Sequence, residues 1–473
     1  MTYHEIGTGH KMLVGPPLNH HLFVPLQPMT NNISYGHIWK LAYPILVSVL
    51  MNQLLGMTDT AFLGRYEDGE IALGASALGG LFYTAVFMLG MGLATGTQIL
   101  MGRCNGEGRH EEVGRIFYHT LIILLLFALV LTGCIYFFAA RVLPLWVESA
   151  ALVDACCQYL HWRLPGFFFA YVAVLFRAYY VATTRTKMLT FNSLLMVVSN
   201  VVFNYLLIFG HCGFPRMGIA GAALATVVCE GLSMLYYIYY TVRHTDYARY
   251  ALNHVPALRL STFRRILNLS VWTMVHNALS FATWFVFFLA VEQLGVFELA
   301  VTNIVRNVSS IFFIAISALA ATTSTLTSNL IGRGALDAVP LVLRRTITMA
   351  YCLVVPMLLF AALFPDVVLR IYTPNADCIA AGRASLYVLL TSYLLTVPGH
   401  ILLSGVMGSG NTRKAFHIGL IAMAGYMLYV LLAIMPGHVS LPLCWLSEHI
   451  YSLTTLALSG LYFASGRWQQ MRL

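Results

Sequence analysis

Residues Leu93–Arg109 read LATGTQILMGRCNGEGR, and about 230 residues later Thr322–Ala338 read TTSTLTSNLIGRGALDA. In both copies a run rich in Thr, Ser and Gly ends in Gly-Arg and a short polar loop, so that Gly102-Arg103 matches Gly332-Arg333. A second pair recurs at a similar separation, Thr184-Arg185-Thr186-Lys187 against Asn411-Thr412-Arg413-Lys414. The chain is therefore read as two copies of one unit, and six long apolar runs separate each element from its repeat. If those runs cross a membrane, their even number gives both copies the same orientation. A pseudo-twofold axis then lies along the membrane normal.

That the runs do cross a membrane follows from composition. Hydrophobic residues make up 59% of the 473-residue chain and charged residues only 10%, with a mean hydropathy of +0.76. A soluble domain carries about 25% charged residues, so lipid must solvate much of this surface. About 20 apolar residues span the hydrocarbon core. Windows of that size place twelve spans near 40–63, 71–100, 116–140, 157–181, 188–210, 218–241, 266–290, 299–331, 346–364, 380–407, 415–435 and 441–463. The runs are too long and continuous for the alternating strands of a transmembrane barrel. The fold expected is an all-α membrane protein of twelve transmembrane helices in two six-helix lobes. The boundaries expected are an extension at 1–39, a first lobe at 40–242, a connector at 243–265 and a second lobe with a short tail at 266–473.

The net charge of +9 is explained by topology rather than by nucleic acid. With both termini in the cytoplasm, 19 of the 27 Lys and Arg residues fall inside, and six (Arg65, Arg141, Arg163, Arg216, Arg370 and Arg383) fall outside. This is the positive-inside bias. Arg177 and Arg306 remain within spans, Arg177 near enough to the inner end to snorkel. The basic connector, interrupted by Pro256, reads as a solvated linker. Residues 1–28 are expected to be disordered, with Met29 an alternative start, and no cleavable signal precedes the first span. Nine scattered cysteines contain no CxxC pair or zinc-like spacing. The partners expected are the bilayer and small organic molecules, with no nucleic acid, and the chain is expected to be monomeric.

Several segments, in order, resemble the multidrug and toxic compound extrusion (MATE) family across about residues 34–465. They are Pro44 followed by Met57-Thr58-Asp59-Thr60-Ala61-Phe62-Leu63-Gly64, then Phe176-Arg177-Ala178 before the TRTK turn. Asn200-Val201-Val202-Phe203-Asn204-Tyr205-Leu206-Leu207-Ile208-Phe209-Gly210 follows, and then Met217-Gly218-Ile219-Ala220-Gly221-Ala222-Ala223-Leu224-Ala225-Thr226. The resemblance is closer to the DinF-like branch. It implies a cell inner-membrane antiporter that exchanges H+ or Na+ for amphipathic, often cationic, organic compounds, with no other cofactor. The other reading kept open is a lipid-linked saccharide flippase of the same superfamily. No Ser/His, His/Asp or metal constellation suggests an enzyme.

Within spans, ionisable residues are functional candidates because a charge at bilayer depth is costly. Asp59 is the clearest. Ser48, Asn52, Gly56 and Asp59 share a helical face that is expected to point into the protein, and Pro44 upstream permits a bend. The bland reading of Asp59 is pairing with Arg65 at the membrane edge. Asn200 and Asn204 share a face of the fifth span, and Thr226 lies midway along the sixth. The resemblance implies that these positions form a cation site with Asp59, although the position of Asn204 is often Asp in the DinF-like branch. The bland alternative is that they serve only as polar glue between helices. Glu230, one turn beyond Thr226, reads either as a second carrier acid or as a packing acid neutralised by protonation. In the second half, His276, Arg306 and Glu448 are possible cleft residues. The seventh span lacks the acid of the NorM-like branch. The second-half counterpart of Asp59 falls near Phe287-Phe288, which concentrates coupling in the first lobe.

Overall fold

The computed structural model describes residues 33–470, apart from residues 67–68, 146, 148, 246 and 437–438. The expectations for residues 1–28 and Met29 lie outside the described residues. The described chain is helical throughout: α1 (Tyr35–Leu63), α2 (Gly69–Gly106), α3 (His110–Val142), α4 (Ala150–Arg163), α5 (Gly166–Ala182), α6 (Lys187–Phe209) and α7 (Ile219–His244) form the first lobe. The second comprises α8 (Leu260–Glu292), α9 (Val296–Gly332), α10 (Ala338–Leu363), the short α11 (Pro365–Arg370), α12 (Ala376–Gly408), α13 (Thr412–Tyr429), the single turn α14 (Leu441–Cys444) and α15 (Leu446–Ala464).

Among the described residues, ten helices are long and apolar enough to cross a membrane, and α4 with α5 makes an eleventh path bent by 51°. The 19-residue α15 reaches about 28 Å at 1.5 Å per residue and packs on α12 and α13, completing twelve. Several helices run a turn or more beyond the hydropathy windows. The end of α3 shows why. His110, Glu111 and Glu112 form its first turn, where acids suit the helix dipole but drop out of an apolar window.

The duplication is visible in the packing. In the first lobe α6 packs on α1 and α7, and α2 packs on α3 and on the bent pair. In the second, α13 packs on α8 and α15, and α9 packs on α10 and α12. Each lobe has its own apolar core. The first turns of α1 cross over: Ile38, Leu41 and Ala42 bury in the second lobe's core, whereas Ile45 and Leu63 belong to the first.

The two repeated segments meet each other. Asn105 Nδ2 donates to Asn329 Oδ1 at 2.7 Å, Gln98 Nε2 to Thr325 Oγ1 at 2.9 Å, and Ser328 Oγ to the Ile99 carbonyl at 2.6 Å. Thr273 Oγ1 and Ser270 Oγ donate to the Gly92 and Leu93 carbonyls at 2.7 and 3.2 Å. A Cβ on Gly96 would collide with Ser270, and one on Gly106 with the backbone of Asn329. Glycine permits this close approach, and all of these contacts lie in the Arg-rich half of the bundle. The lobes are closed at the basic end.

Three expectations change. The connector is not a solvated linker, because Tyr250 is fully buried and its hydroxyl donates to Asn105 at 3.3 Å. Tyr118 and His119 of α3 bond the Leu252 carbonyl and the Arg259 amide at 2.7 and 3.0 Å. An aromatic ring with a core to enter overrides the polar composition around it. α1 runs unbroken through Pro44. Of its polar stripe only Ser48 is buried, while Asn52 and Gly56 are exposed and a Cβ on Gly56 would meet nothing within 4 Å. The middle of that stripe faces open space, and only its two ends meet packed protein. All nine cysteines are free.

Candidate functional site

The site forms where α1, α6 and α7 pack together. Asp59 lies one turn from the end of α1 and is half-buried, while Asn200, Asn204 and Thr226 are buried behind it. Asn200 Nδ2 and Asn204 Nδ2 donate to Asp59 Oδ1 at 2.8 and 2.7 Å, and Thr226 Oγ1 donates to Oδ2 at 3.2 Å. The four-residue spacing of the two asparagines puts both on one face of α6, where Asn204 also donates to Asn200 Oδ1 at 3.1 Å. Three donors on one carboxylate suit its ionised form, because ionised acceptors make the stronger hydrogen bonds. The exposed Arg65 forms no ion pair with Asp59 among the described residues.

One atom in this cage is unsatisfied. Asn204 Oδ1 is buried without a hydrogen-bond partner among the described residues. A buried acceptor left unpaired is unfavourable by about 1–3 kcal/mol. Turning the two amides would offer a proton on Asp59 an acceptor, or a small hard cation two carbonyl oxygens beside the carboxylate and the Thr226 hydroxyl. The residues fit either ion. Among the described residues no group of three or more His, Cys, Asp or Glu side chains could hold a resident metal.

Glu230 lies one turn along α7 from Thr226, and its surroundings change its reading. Arg163 Nη1 and Nη2 donate to Glu230 Oε2 and Oε1 at 2.7 and 2.6 Å, with both side chains buried. The guanidinium lies 3.9 Å over the Tyr83 ring. Glu230 is therefore half of a bidentate ion pair rather than an acid waiting alone for a proton. Arg163 is not an outer-loop residue. α4 begins at Ala150, before the apolar window, and carries Arg163 to the 51° break at Leu164-Pro165. At the break a Cβ on Gly166 would strike both charged groups, so α5 starts directly on the pair. With Asp59, the pair leaves this region with one net negative charge.

The second-lobe candidates lie apart from this cage. His276 is buried against Gly419 of α13, its Nδ1 unpartnered among the described residues. Arg306 stands 5.0 Å over the Phe288 ring. Glu448, in the first turn of α15, is half-buried beside Ser447 and Tyr426. Near it Ser309 and Tyr393 share a 2.7 Å hydroxyl contact. At the counterpart of Asp59, Phe287 is fully buried against Trp445 and Tyr426.

Between the lobes, just above the basic-end closure, lies a cavity of about 140 Å3 lined by α1, α2, α5, α9 and α12. Arg177 lines it rather than snorkelling to the interface. The sequence marked Arg177 as an intramembrane cation, but only the meeting of five helices shows where it points.

Comparison with known proteins gives a consistent picture. The MatE family model matches residues 44–206 and again residues 273–434, so one model fits both halves. The Multidrug resistance protein MdtK of Pectobacterium atrosepticum is 26% identical over 416 residues, covering 84% of this chain and 88% of that one. A multidrug resistance MATE family transporter of the MOP superfamily, solved in an outward-facing conformation, superposes with a TM-score of 0.82. It is 17% identical, covering 92% of this chain and 95% of that one. The eukaryotic MATE transporter AtDTX14 gives 0.77 at 18% identity, with 92% and 96% covered. The two structures share the fold.

Proposed function

The chain belongs to the MatE family of membrane transporters, and from that premise we propose that it is a secondary antiporter exporting amphipathic or cationic organic compounds in exchange for H+ or Na+. It works as a monomer in the cell inner membrane, with both termini and the basic end in the cytoplasm. The observation that carries this reading is the Asp59 carboxylate, caged by three donors from two neighbouring helices of one lobe. The lobes meet at the basic end, and the likeness to an outward-facing transporter supports reading this arrangement as the state open to the outside.

In this scheme Asp59 takes up its cation from outside and cargo is released. The neutralised cage favours parting of the Asn105–Asn329 and Gln98–Thr325 contacts, and the cleft opens to the cytoplasm. There the cation leaves and new cargo binds. Because Arg163 and Glu230 neutralise each other beside the cage, one cation neutralises Asp59. One charge moving through 150 mV supplies about 3.5 kcal/mol, enough to hold a roughly 300-fold gradient of a neutral compound.

The test is efflux from proteoliposomes under separately imposed pH and Na+ gradients. Asp59→Asn keeps the shape of the side chain and is expected to abolish cation-driven efflux while the protein still inserts. Undiminished efflux by that variant would refute the assignment.

A further inference from the structure

Arg177 is the charged group that the coupling scheme leaves unused. It projects from α5 into the inter-lobe cavity, where its polar neighbours are Thr95 and Gln98 of α2, Ser324 of α9 and Ser404 of α12. All four are uncharged, and no acid lines the cavity. Among the described residues Arg177 makes no ion pair or hydrogen bond, and the titratable group that acts on its charge is the buried Tyr237 phenol. This differs from Arg163, which is buried in the same lobe and locked on Glu230, whereas Arg177 is half-buried against the cavity. An unpaired guanidinium away from bulk water is unfavourable, and an intramembrane ion without a partner in the protein points to one that arrives.

We propose that this cavity seats an anionic group of the cargo, and that Arg177 selects, among amphipathic compounds, those carrying a carboxylate or a similar single anionic group. The guanidinium fork matches a carboxylate in two parallel hydrogen bonds, and Gln98, Ser324 and Ser404 supply further donors around it, the Thr95 hydroxyl being already bonded to the Met91 carbonyl. The volume holds an acid group and its waters but not a drug-sized body, which needs about 300 Å3 or more. The apolar part of the cargo therefore extends outward along the cleft. The location suits a cargo-sensing role. Gln98 lines the cavity and also bonds Thr325 across the lobe interface, so the bound group lies against the closure that must open. A purely cationic cargo meets repulsion at this point. The inference rests on the reading of the cleft as the transport path and narrows its substrate class.

The experiment uses two dyes with one body: rhodamine B, which has a free carboxylate, and rhodamine B ethyl ester, in which that group is blocked. Equilibrium titration by fluorescence anisotropy of the purified full-length protein reads the site directly, and gradient-driven efflux from proteoliposomes reads its use. Wild-type protein is expected to bind the acid roughly tenfold or more tighter than the ester, equivalent to about 1.4 kcal/mol. Arg177→Gln is expected to bring the ratio close to one while ester binding persists, which also shows that the variant is folded. Arg177→Lys should keep a reduced preference. Equal binding of both dyes, or of neither, by the wild-type protein would overturn the proposal. So would an unchanged ratio in Arg177→Gln. Failure of the wild type to move either dye under a gradient counts against the antiporter reading instead, because the titration does not depend on transport.

Discussion

Two lobes of one protein share a helical frame and differ in what fills equivalent places. Where α1 carries Asp59 against Asn200, Asn204 and Thr226, α8 carries Phe287 and Phe288 against Trp445, Tyr426 and Arg306. The first-lobe path between α3 and α6 breaks at Leu164-Pro165 and is held by Arg163–Glu230, whereas α12 in the second lobe is continuous from Ala376 to Gly408 despite Pro398. Packing partners are set by helix geometry and survive duplication. A caged carboxylate depends on four particular side chains, and substituting any of them removes it. The second lobe provides the surface against which the first closes, and its acid, Glu448, lies elsewhere on α15.

If this asymmetry is functional, the largest effect of any single change is the loss of cation-driven efflux in Asp59→Asn. The next is on stability. Arg163→Ala leaves Glu230 buried and uncompensated, and truncating one partner of a buried pair is destabilising by about 3–5 kcal/mol. Thermal unfolding of the detergent-solubilised variant should show a clearly lowered midpoint. Replacing both partners with apolar residues, as in the Arg163→Met, Glu230→Leu double variant, should recover much of it. Equal midpoints for wild type and Arg163→Ala would remove the pair from the account. A smaller effect is expected at the interface between lobes. Asn329 Nδ2 donates to the Ala182 and Thr325 carbonyls at 3.0 and 2.9 Å and its Oδ1 accepts from Asn105. Asn329→Ala forfeits about 1–3 kcal/mol of buried hydrogen bonding, which weakens closure. Hydrogen exchange should rise in residues 93–109 and 322–338 and stay unchanged around Asp59. Unchanged exchange in the two repeats would show that they do not hold the lobes together.

Much of this was legible in the sequence because it depends on local periodicity. Spans follow from runs of apolar residues, the duplication from Gly-Arg and its polar loop, and the shared face of Asn200 and Asn204 from their spacing. Arg163 was hidden because it lies near the outer end of the fourth apolar run, where a cation reads as facing water. Its partner Glu230 was visible as an intramembrane acid, but a contact 67 residues away in the chain leaves no local trace. The meeting of the two repeats was hidden for the same reason. Tyr250 and Arg177 show the limit most plainly: a residue's type states what it can do, and only the helices around it state whether it is buried, paired or facing a cavity.

The claim that coupling belongs to Asp59 and not to its lobe-wide counterparts is tested most directly by counting cations released when cargo binds. The count is made with a pH dye and a Na+-sensitive dye in weakly buffered detergent solution, for wild type, Asp59→Asn and Glu448→Gln. The account predicts about one cation per protein for wild type and for Glu448→Gln, and none for Asp59→Asn. Release that persists in Asp59→Asn and disappears in Glu448→Gln would contradict it and move the coupling site to the second lobe.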